Sequence, residues 1–500
     1  MKKKKRLPVS KLRKTCDTAA LGFKTTNELK GSTNFIGQER AVASIQFGIG
    51  IEHTGYHIFA LGAEGTGKMS IITRYLEEKA RVKKIPDDIC YLNNFEDPDK
   101  PSLVMLQHGQ GRKFRDSVNE LLESLETEIK RAFESEKYSH EVEEAIKSFQ
   151  KKQRGVLQNF DEEARKKQCT ILETAQGFII VPFMNNHALN QQEFSALSEL
   201  QQKAWYKAYE KVQERFSVEL KKIQQLRKEQ RLKLKEIDTN VLKFSVSHLL
   251  EDIIETFSSS VKIKTFLENL FLDIIDNAQA FKAMQLAEIQ GAQPGAQVET
   301  IAGFLENYRV NLVVDHSKST GAPVVVETNP TYYNLMGRIE YESQFGTYYT
   351  SFMMIKPGSL HRANGGYLVL RASDILTRPF AWEALERALQ TSKVSMESPG
   401  QEYATVANRY LEPESVPLDI KVVITGDMRM YDLLYSYDNQ FKELFKVRAD
   451  FSQDMPWNKA TTHEYAQFIA TVCESKKLLP FTARAVGRVI EASSRAVENR

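Results

Sequence analysis

Residues 56–80, YHIFALGAEGTGKMSIITRYLEEKA, combine an apolar run, a glycine-rich loop and a helical pattern. The apolar run at 56–61 predicts a strand, and the spacing of Ile72, Tyr75 and Leu76 predicts a helix after it. Between them lies a GxxxxGK loop made of Gly62, Ala63, Glu64, Gly65, Thr66, Gly67 and Lys68. In such a unit the loop N–H groups and the helix N-terminus bind phosphate, and the lysine supplies a mobile cation. The segment therefore predicts a phosphate-binding loop within an α/β domain.

The residue after the lysine departs from this pattern. Phosphate-binding loops normally place Ser or Thr there, where the hydroxyl ligates Mg²⁺. Here the position is Met69, whose thioether has little affinity for a hard cation. Ser70 follows, but the next helical residue is rotated by about 100°. We expect residues 62–70 to bind nucleotide phosphates and to contribute poorly to a Mg²⁺ site.

The composition is that of an ordinary folded protein without a strong charge bias. The chain has 500 residues, of which 42% are hydrophobic and 27% charged. Lys and Arg number 68 against 65 Asp and Glu, so the net charge of +3 favours neither a nucleic-acid nor an acidic-membrane partner. The sequence contains no apolar run of the ~18 residues that a membrane span needs.

The cysteines and the first residues bear on the cellular compartment. Cys16, Cys90, Cys169 and Cys473 show no CxxC spacing, which excludes a Cys-based zinc site and a disulfide framework. Residues 1–15, MKKKKRLPVSKLRKT, are basic but lack the apolar region of a secretory signal. We interpret them as a solvated basic tail, with a nucleic-acid arm as the alternative. A reducing, cytoplasmic location is predicted.

Three compositional regions follow the tail. Residues 16–110 mix apolar runs with turn residues, as α/β proteins do. Residues 111–290 are charged and rich in Gln, with apolar residues at helical spacing, and they predict a long helical hairpin. The run at 178–181 between its helices predicts a short strand or, alternatively, a wedge at a helix junction. QGAQPGAQ (290–297) predicts a linker, and strand-like runs resume after residue 301. Residues 481–500 keep helical spacing to the last residue, so we expect the natural chain to continue.

Several stretches outside the hairpin are similar to a known family. They resemble the AAA+ ATPase region of Lon-related bacterial proteases, which include LonB-like and LonC-like enzymes. The stretches are CDTAALGFKTTNEL (16–29), FIGQERAVASIQFGI (35–49), GYHIFALGAEGTGK (55–68), CYLNNFEDPDKPSLVML (90–106), NPTYYNLMGRIEY (329–341), IKPGSLHRANGGYLVL (355–370), PFAWEALERAL (379–389) and PLDIKVVITGD (417–427).

The resemblance implies an α/β P-loop AAA+ domain formed by residues 16–110 and 291–455, with the helical hairpin at 111–290 inserted into it. It implies that residues 456–500 begin a helical lid subdomain. It also implies ATP as cofactor, a hexameric ring of identical chains, and unfolded or damaged proteins as substrates handled by the helical arm. The family's proteolytic Ser–Lys dyad is expected beyond residue 500, so no catalytic residue is assigned within this chain.

The resemblance also places further site residues. The family's Walker B motif ends a strand with Asp, which holds Mg²⁺ through water, and Glu, which activates the attacking water. Here the strand YLVL (367–370) is followed by Arg371 and Ala372, a degenerate form. Thr425 takes the sensor-1 position. Lys446 and Arg448 are candidates for an arginine finger that reaches a neighbouring subunit, with a solvated ion pair as the alternative.

No metal site is predicted. His463 and Glu464 begin like an HExxH motif, but Gln467 stands where the second His would be. Three functions stay open: the ATPase module of an ATP-driven Lon-type serine protease, a LonC-like gate that works without ATP hydrolysis, and a non-enzymatic P-loop scaffold with a coiled-coil arm. Met69, Arg371 and Ala372 favour the second over the first.

Overall fold

A computed structural model describes residues 8, 14–29, 36–63, 66–174, 177–290, 300–344, 347–396 and 411–497. The chain divides into two compact units: unit 1, Met1–Lys113 with Asn311–Arg500, and unit 2, Phe114–Val310. Within the described residues, no helix combines the length and the apolar character that crossing a bilayer requires.

The elements are numbered in chain order. The α-helices, α1 to α17, are Glu39–Gly50, Lys68–Ala80, Gln110–Glu134, Glu136–Arg165, Gln191–Ser195, Glu199–Thr256, Val261–Asp276, Ala278–Gln290, Ile301–Leu305, Tyr332–Met336, Ser359–Arg362, Ala372–Leu376, Ala381–Thr391, Met428–Tyr437, Asn439–Leu444, Lys459–Ser475 and Ala483–Ala496. The strands, β1 to β17, are Ile58–Leu61, Asp88–Leu92, Ser102–Leu106, Cys169–Thr174, Gly177–Met184, His187–Ala188, Asn311–Val314, Val324–Val326, Arg338–Ile339, Glu342–Gln344, Thr347–Tyr349, Ile355–Lys356, Tyr367–Arg371, Lys393–Val394, Val416–Pro417, Lys421–Gly426 and Val447–Asp450. Short 3-10 helices span Ala19–Leu21, Thr26–Glu28, Glu306–Tyr308 and Phe352–Met354.

The core of unit 1 is a parallel five-stranded sheet in the order β17-β1-β16-β13-β8. Its three central strands, β1, β16 and β13, are apolar on both faces over most of their length. On β1, Phe59 and Leu61 pack into one buried cluster with residues of α12 to α15, whereas Ile58 and Ala60 pack into another with residues of α1 and α2. Helices on both faces of a parallel sheet account for these continuous apolar runs. The α/β class predicted from the sequence is confirmed.

Unit 1 also holds an antiparallel sheet, β3-β2-β7, and a helical part near the end of the chain. Leu21 and Phe23 pack with apolar side chains of α16 and α17 in one buried cluster. The backbone N–H of Thr26 donates to the carbonyl oxygen of Phe481 at 2.8 Å, which joins the two segments. That α16 and α17 form a lid over a nucleotide stays a prediction.

In unit 2, α4 and α6 lie side by side and antiparallel. The Tyr138 hydroxyl donates to Oδ1 of Asp238 at 2.6 Å, and the rings of Phe160 and Phe216 are 5.1 Å apart. From Tyr138 to Phe160 the residue numbers rise along α4, whereas those of their partners on α6 fall from Asp238 to Phe216, so the two helices run antiparallel. The residues between these helices form an antiparallel sheet, β4-β5-β6. The strand predicted at 178–181 is confirmed, within the longer strand β5.

Several predicted features are not tested by the structure. Residues 291–297 of the expected linker lie outside the described residues, and Gln290 is the last residue of α8. Most of the basic tail, 1–15, is likewise outside them. The predicted domain limits at 110, 290 and 455 stay predictions.

Candidate functional site

A cavity of about 490 Å³ lies where β1, β13 and β16 end. Because these neighbouring strands are parallel, their carboxyl ends share one edge of the sheet. The described residues that line the cavity are Gly62, Ala63, Thr66, Gly67, Lys68, Met69, Ser70, Arg371, Ser373, Thr425, Gly426, Asp427 and Met430. The fold therefore brings the predicted loop together with Arg371 and Thr425.

Two glycines give the loop its path. Gly67 precedes α2 with φ 72° and ψ 10°, in the left-handed region that side chains rarely adopt. A Cβ atom at Gly62 would lie 2.9 Å from Cβ of Phe451, so this position leaves no room for a side chain. The Gly62 N–H donates to the carbonyl oxygen of Gly426 at 3.2 Å and ties the loop to the end of β16. Glu64 and Gly65 lie outside the described residues.

Lys68 is the first residue of α2, and its ammonium turns back onto the loop. Nζ donates to the carbonyl oxygen of Gly62 and, at 2.8 Å, to that of Ala63. The Thr66 hydroxyl donates to the same Ala63 carbonyl at 2.9 Å. A cation thus lies against the loop at the N-terminal end of a helix, the two features that favour a bound phosphate.

Met69 and Ser70 form the start of α2 beyond the lysine. The Met69 side chain is half-buried and packs against the apolar cluster that contains Ile72 and Leu76. Ser70 is exposed. The hydroxyl expected after the lysine is therefore replaced by an apolar contact with the core.

The end of β13 presents a cation to the cavity. Arg371 is exposed and pairs in register with Thr425 of β16. Among the described residues, the Arg371 side chain makes no hydrogen bond or ion pair. Ala372 is fully buried in the apolar cluster that includes Phe59, and it is not among the residues that line the cavity. Of the two residues predicted to form a degenerate Walker B motif, Arg371 lines the cavity and Ala372 packs into the core.

Thr425 and Asp427 are held by the backbone around them. Thr425 is buried, and its hydroxyl donates to the carbonyl oxygen of Leu370 at 3.3 Å. Asp427 caps α14, and its Oδ1 accepts from the Met430 N–H at 2.8 Å. Sequence reasoning missed Ser373, Gly426, Asp427 and Met430 as lining residues. Asp427 could have been found, because it follows β16 directly, as Ala372 follows β13.

The two finger candidates do not line the cavity. Nε of Arg448 lies 2.7 Å from Oδ1 of Asp450, and its guanidinium carbon is 5.0 Å from the centre of the Tyr431 ring. Nζ of Lys446 is 5.2 Å from the centre of the Tyr56 ring. In one chain Arg448 is an ion-paired residue, as the alternative interpretation proposed. A role toward a neighbouring subunit stays a prediction for both.

The donor set of the cavity suits phosphate better than a metal. Across the described ranges, no group of three or more His, Cys, Asp or Glu side chains is placed to hold a metal ion. Among the described lining residues the one carboxylate is Asp427, which already caps a helix. Lys68 and Arg371 add two positive charges to the same cavity.

A parallel sheet with a GxxxxGK loop at its carboxyl edge defines the class of P-loop α/β proteins. Comparison with known families narrows this class. A family model described as LonB-like, AAA domain matches residues 320–452, which include Arg371 and Thr425. A second family model, described as Lon-like LonC helical domain, matches residues 88–121, from β2 into α3. No curated protein matches the chain. The two matches support a Lon-related protein and suggest a Lon-family ATPase module, and an AAA domain implies nucleotide binding.

Proposed function

We propose that this chain is the ATPase-like module of a Lon-type protease that binds adenine nucleotide without Mg²⁺ and hydrolyses it negligibly. The observation that carries the proposal is the meeting of the loop, Lys68 and Arg371 in one cavity of about 490 Å³. The module then acts as a gate controlled by nucleotide occupancy, and not as a motor. The match to a LonC helical domain model favours this form over the ATP-driven one.

The residues present fit the phosphates of a nucleotide. The loop N–H groups and the N-terminal end of α2 would face the phosphate oxygens, and Lys68 would exchange its loop carbonyl partners for them. Arg371 offers a planar guanidinium with several donors, which matches phosphate geometry well. Chain groups alone thus supply two cations and a set of N–H donors.

The residues present do not fit Mg²⁺. The hydroxyl after the lysine is replaced by the Met69 thioether, and the carboxylate at the end of β13 is replaced by Arg371. A guanidinium repels a divalent cation, and a thioether binds a hard one weakly. We therefore assign to Arg371 the charge neutralisation that the metal provides in related ATPases.

Water activation lacks its base in the same way. The position of the catalytic glutamate is Ala372, whose side chain is fully buried among apolar neighbours. A general base contributes about 10²–10⁴ to a rate, so its loss alone makes turnover slow. Bound nucleotide would persist and hold the surrounding elements in one arrangement.

A binding measurement tests this directly. By isothermal titration calorimetry, ATP should bind in EDTA with a dissociation constant within about threefold of that in Mg²⁺. Arg371→Ala should weaken binding by at least about tenfold, because a charge-assisted hydrogen bond is worth about 1.5–3 kcal/mol. Arg378→Ala is the matched control, since Arg378 is exposed on the same segment and is not among the lining residues. Binding that requires Mg²⁺ would contradict the proposal.

The wider assignment follows from the resemblance to Lon-related proteases. Unit 2, with the antiparallel helices α4 and α6, would contact unfolded or damaged protein substrates. A hexameric ring, a cytoplasmic location and a proteolytic domain on the same polypeptide belong to the same proposal. A non-enzymatic scaffold would differ in having no proteolytic partner domain.

A further inference from the structure

A second cavity, of about 790 Å³, lies between α13 and the pair α14 and α15. Its walls include the apolar side chains of Leu376, Trp382, Leu433 and Tyr437. Among the described lining residues it shares only Met430 with the loop cavity. The proposed nucleotide site therefore does not account for the second cavity.

Asp438, at one side of this cavity, is a fully engaged carboxylate. Oδ2 accepts from the Trp382 indole N–H at 2.8 Å. Oδ1 accepts from the backbone N–H groups of Gln440 at 2.9 Å and Phe441 at 3.1 Å. Burial opposes ionisation of Asp438, but these donors and the hydrogen bond from Glu386 outweigh it and lower its pKa. Asp438 therefore stays ionised.

Glu386 beside it is buried and incompletely bonded. Glu386 is 6% exposed and lines the cavity. Burial, and then the hydrogen bond with the Asp438 carboxylate, raise the pKa of Glu386 to about 8, so it carries the proton that the two carboxyl groups share. Its Oε1 is buried and has no hydrogen-bond partner among the described residues. A buried acceptor without a donor is unfavourable, which points to a missing ligand.

The chemistry of the walls indicates what that ligand is. With Glu386 protonated, the carboxylates of Glu383 and Asp438 still outnumber the one guanidinium, that of Arg387, among the described lining residues, so the cavity favours a cation. The indole of Trp382 and the phenol of Tyr437 provide aromatic surface. A guanidinium donates hydrogen bonds in its plane, is weakly hydrated and stacks on aromatic rings, whereas an ammonium does not stack in this way. An arginine side chain therefore fits best.

The surface around the cavity is that of a protein interface. Leu433 is 60% exposed and Tyr437 is 85% exposed, and both line the cavity. Phe380, at the start of α13, is 61% exposed and has a φ of 61°, an uncommon and strained conformation for an aromatic residue. Large exposed apolar side chains around a pocket mark protein-binding surfaces.

We propose that this cavity, the Glu386 cavity, receives an arginine side chain from a second copy of this chain. The proposal rests on the proposed function, because assembly of identical chains is part of that function. The chain can supply the ligand: Arg40, Arg81 and Arg484 are exposed and form no ion pair among the described residues. When the guanidinium enters, Glu386 releases its proton to solvent, and the cation pairs with the resulting carboxylate.

Sedimentation velocity of the full chain over a concentration series tests the proposal. Glu386→Gln keeps the shape and an N–H donor toward Asp438 but cannot ionise, so self-association should weaken by at least about tenfold. Glu443→Gln, on the exposed side of α15 and outside the cavity lining, should associate like the parent chain. Thermal unfolding of Glu386→Gln should not fall below that of the parent, which separates loss of binding from loss of folding.

A competition arm identifies the side chain. N-acetyl-arginine amide should dissociate the assembly of the parent chain, whereas N-acetyl-citrulline amide, equal in size but uncharged, should not. Equal effects of the two amides, or unchanged association of Glu386→Gln, would mean that a water molecule suffices for Oε1 and would overturn the proposal. A chain that binds ATP but stays monomeric would overturn it while leaving the nucleotide site intact.

Discussion

Two side chains set the chemistry of the loop cavity. Met69 turns an expected oxygen donor into an apolar contact, and Arg371 turns an expected negative charge into a positive one. Each change removes one reason for a divalent cation to bind. The phosphate donors are kept, because they come from the backbone and from Lys68. We therefore expect nucleotide binding and nucleotide hydrolysis to be separable at this site.

The buried carboxyl of Glu386 predicts a pH dependence of stability. Its pKa is raised from the ordinary 4.5 to about 8 in the folded chain, mainly by burial. Between these values the folded state binds more protons than the unfolded state, so the free energy of unfolding should fall as pH rises. Glu386→Gln removes this pH dependence. Relative to the parent chain, its free energy of unfolding should therefore increase by up to about 1.4 kcal/mol for each pH unit in this range.

Chemical denaturation at pH 5, 6.5 and 8 provides the measurement, with association suppressed by dilution. Glu443→Gln is a suitable control, because Glu443 is exposed on α15 and does not line the cavity. Parallel stability curves for the parent and Glu386→Gln would show that Glu386 titrates normally and would contradict the buried carboxyl pair.

At the level of the elements, local patterns predicted the strand–loop–helix unit well. The apolar run at 56–61 and the spacing of Ile72 and Leu76 depend on neighbours in sequence, so β1 and α2 could be inferred directly. The order β17-β1-β16-β13-β8 could not, because it joins segments hundreds of residues apart. For the same reason Ser373 was missed, since it reaches the loop through that strand order, whereas Asp427 directly follows a strand visible in the sequence and could have been found. The strand β4, CTILET, was missed because it has no continuous apolar run.

The placement of unit 2 in the chain leads to a prediction about elements. A Cβ atom at Gly111 would lie 2.9 Å from Cδ1 of Leu312, so the two chain segments that border unit 2 are close together. Arg112 and Asp315 also form an ion pair there. We therefore expect unit 1 to stay folded when a short Gly-Ser linker replaces residues 114–310. Its dissociation constant for ATP should lie within about threefold of that of the full chain.

The same variant should lose the capture of unfolded protein. Its binding to a fluorescent, permanently unfolded casein can be compared with that of the full chain by anisotropy, beside the calorimetric measurement of ATP. Circular dichroism and thermal unfolding control for folding. Loss of ATP binding in a folded deletion variant would show that unit 2 belongs to the nucleotide site. Unchanged casein binding by the deletion variant would show that unit 2 does not bind the unfolded substrate.

On the scale of the whole molecule, the chain combines a parallel sheet that carries the GxxxxGK loop, a unit that contains the long helices α4 and α6, and a cavity bordered by exposed apolar side chains. The matches at 88–121 and 320–452 fall in unit 1 and at the start of the helical segment, and together they support a Lon-related protein. A gate of this kind requires that nucleotide stabilise one arrangement without being consumed. The proposed gate would rely on the loop cavity, where Lys68 and Arg371 supply cations and, among the described lining residues, the one carboxylate is the helix-capping Asp427.

Steady-state ATP turnover of the full chain measures whether bound nucleotide is consumed. The parent chain should hydrolyse ATP at least about 10²-fold more slowly than a typical enzyme rate of about 1 s⁻¹ or more. Lys68→Ala should leave this background unchanged while abolishing ATP binding measured on the same preparation. Turnover by the parent chain at an ordinary AAA+ rate, lost in Lys68→Ala, would contradict the account and restore the ATP-driven function.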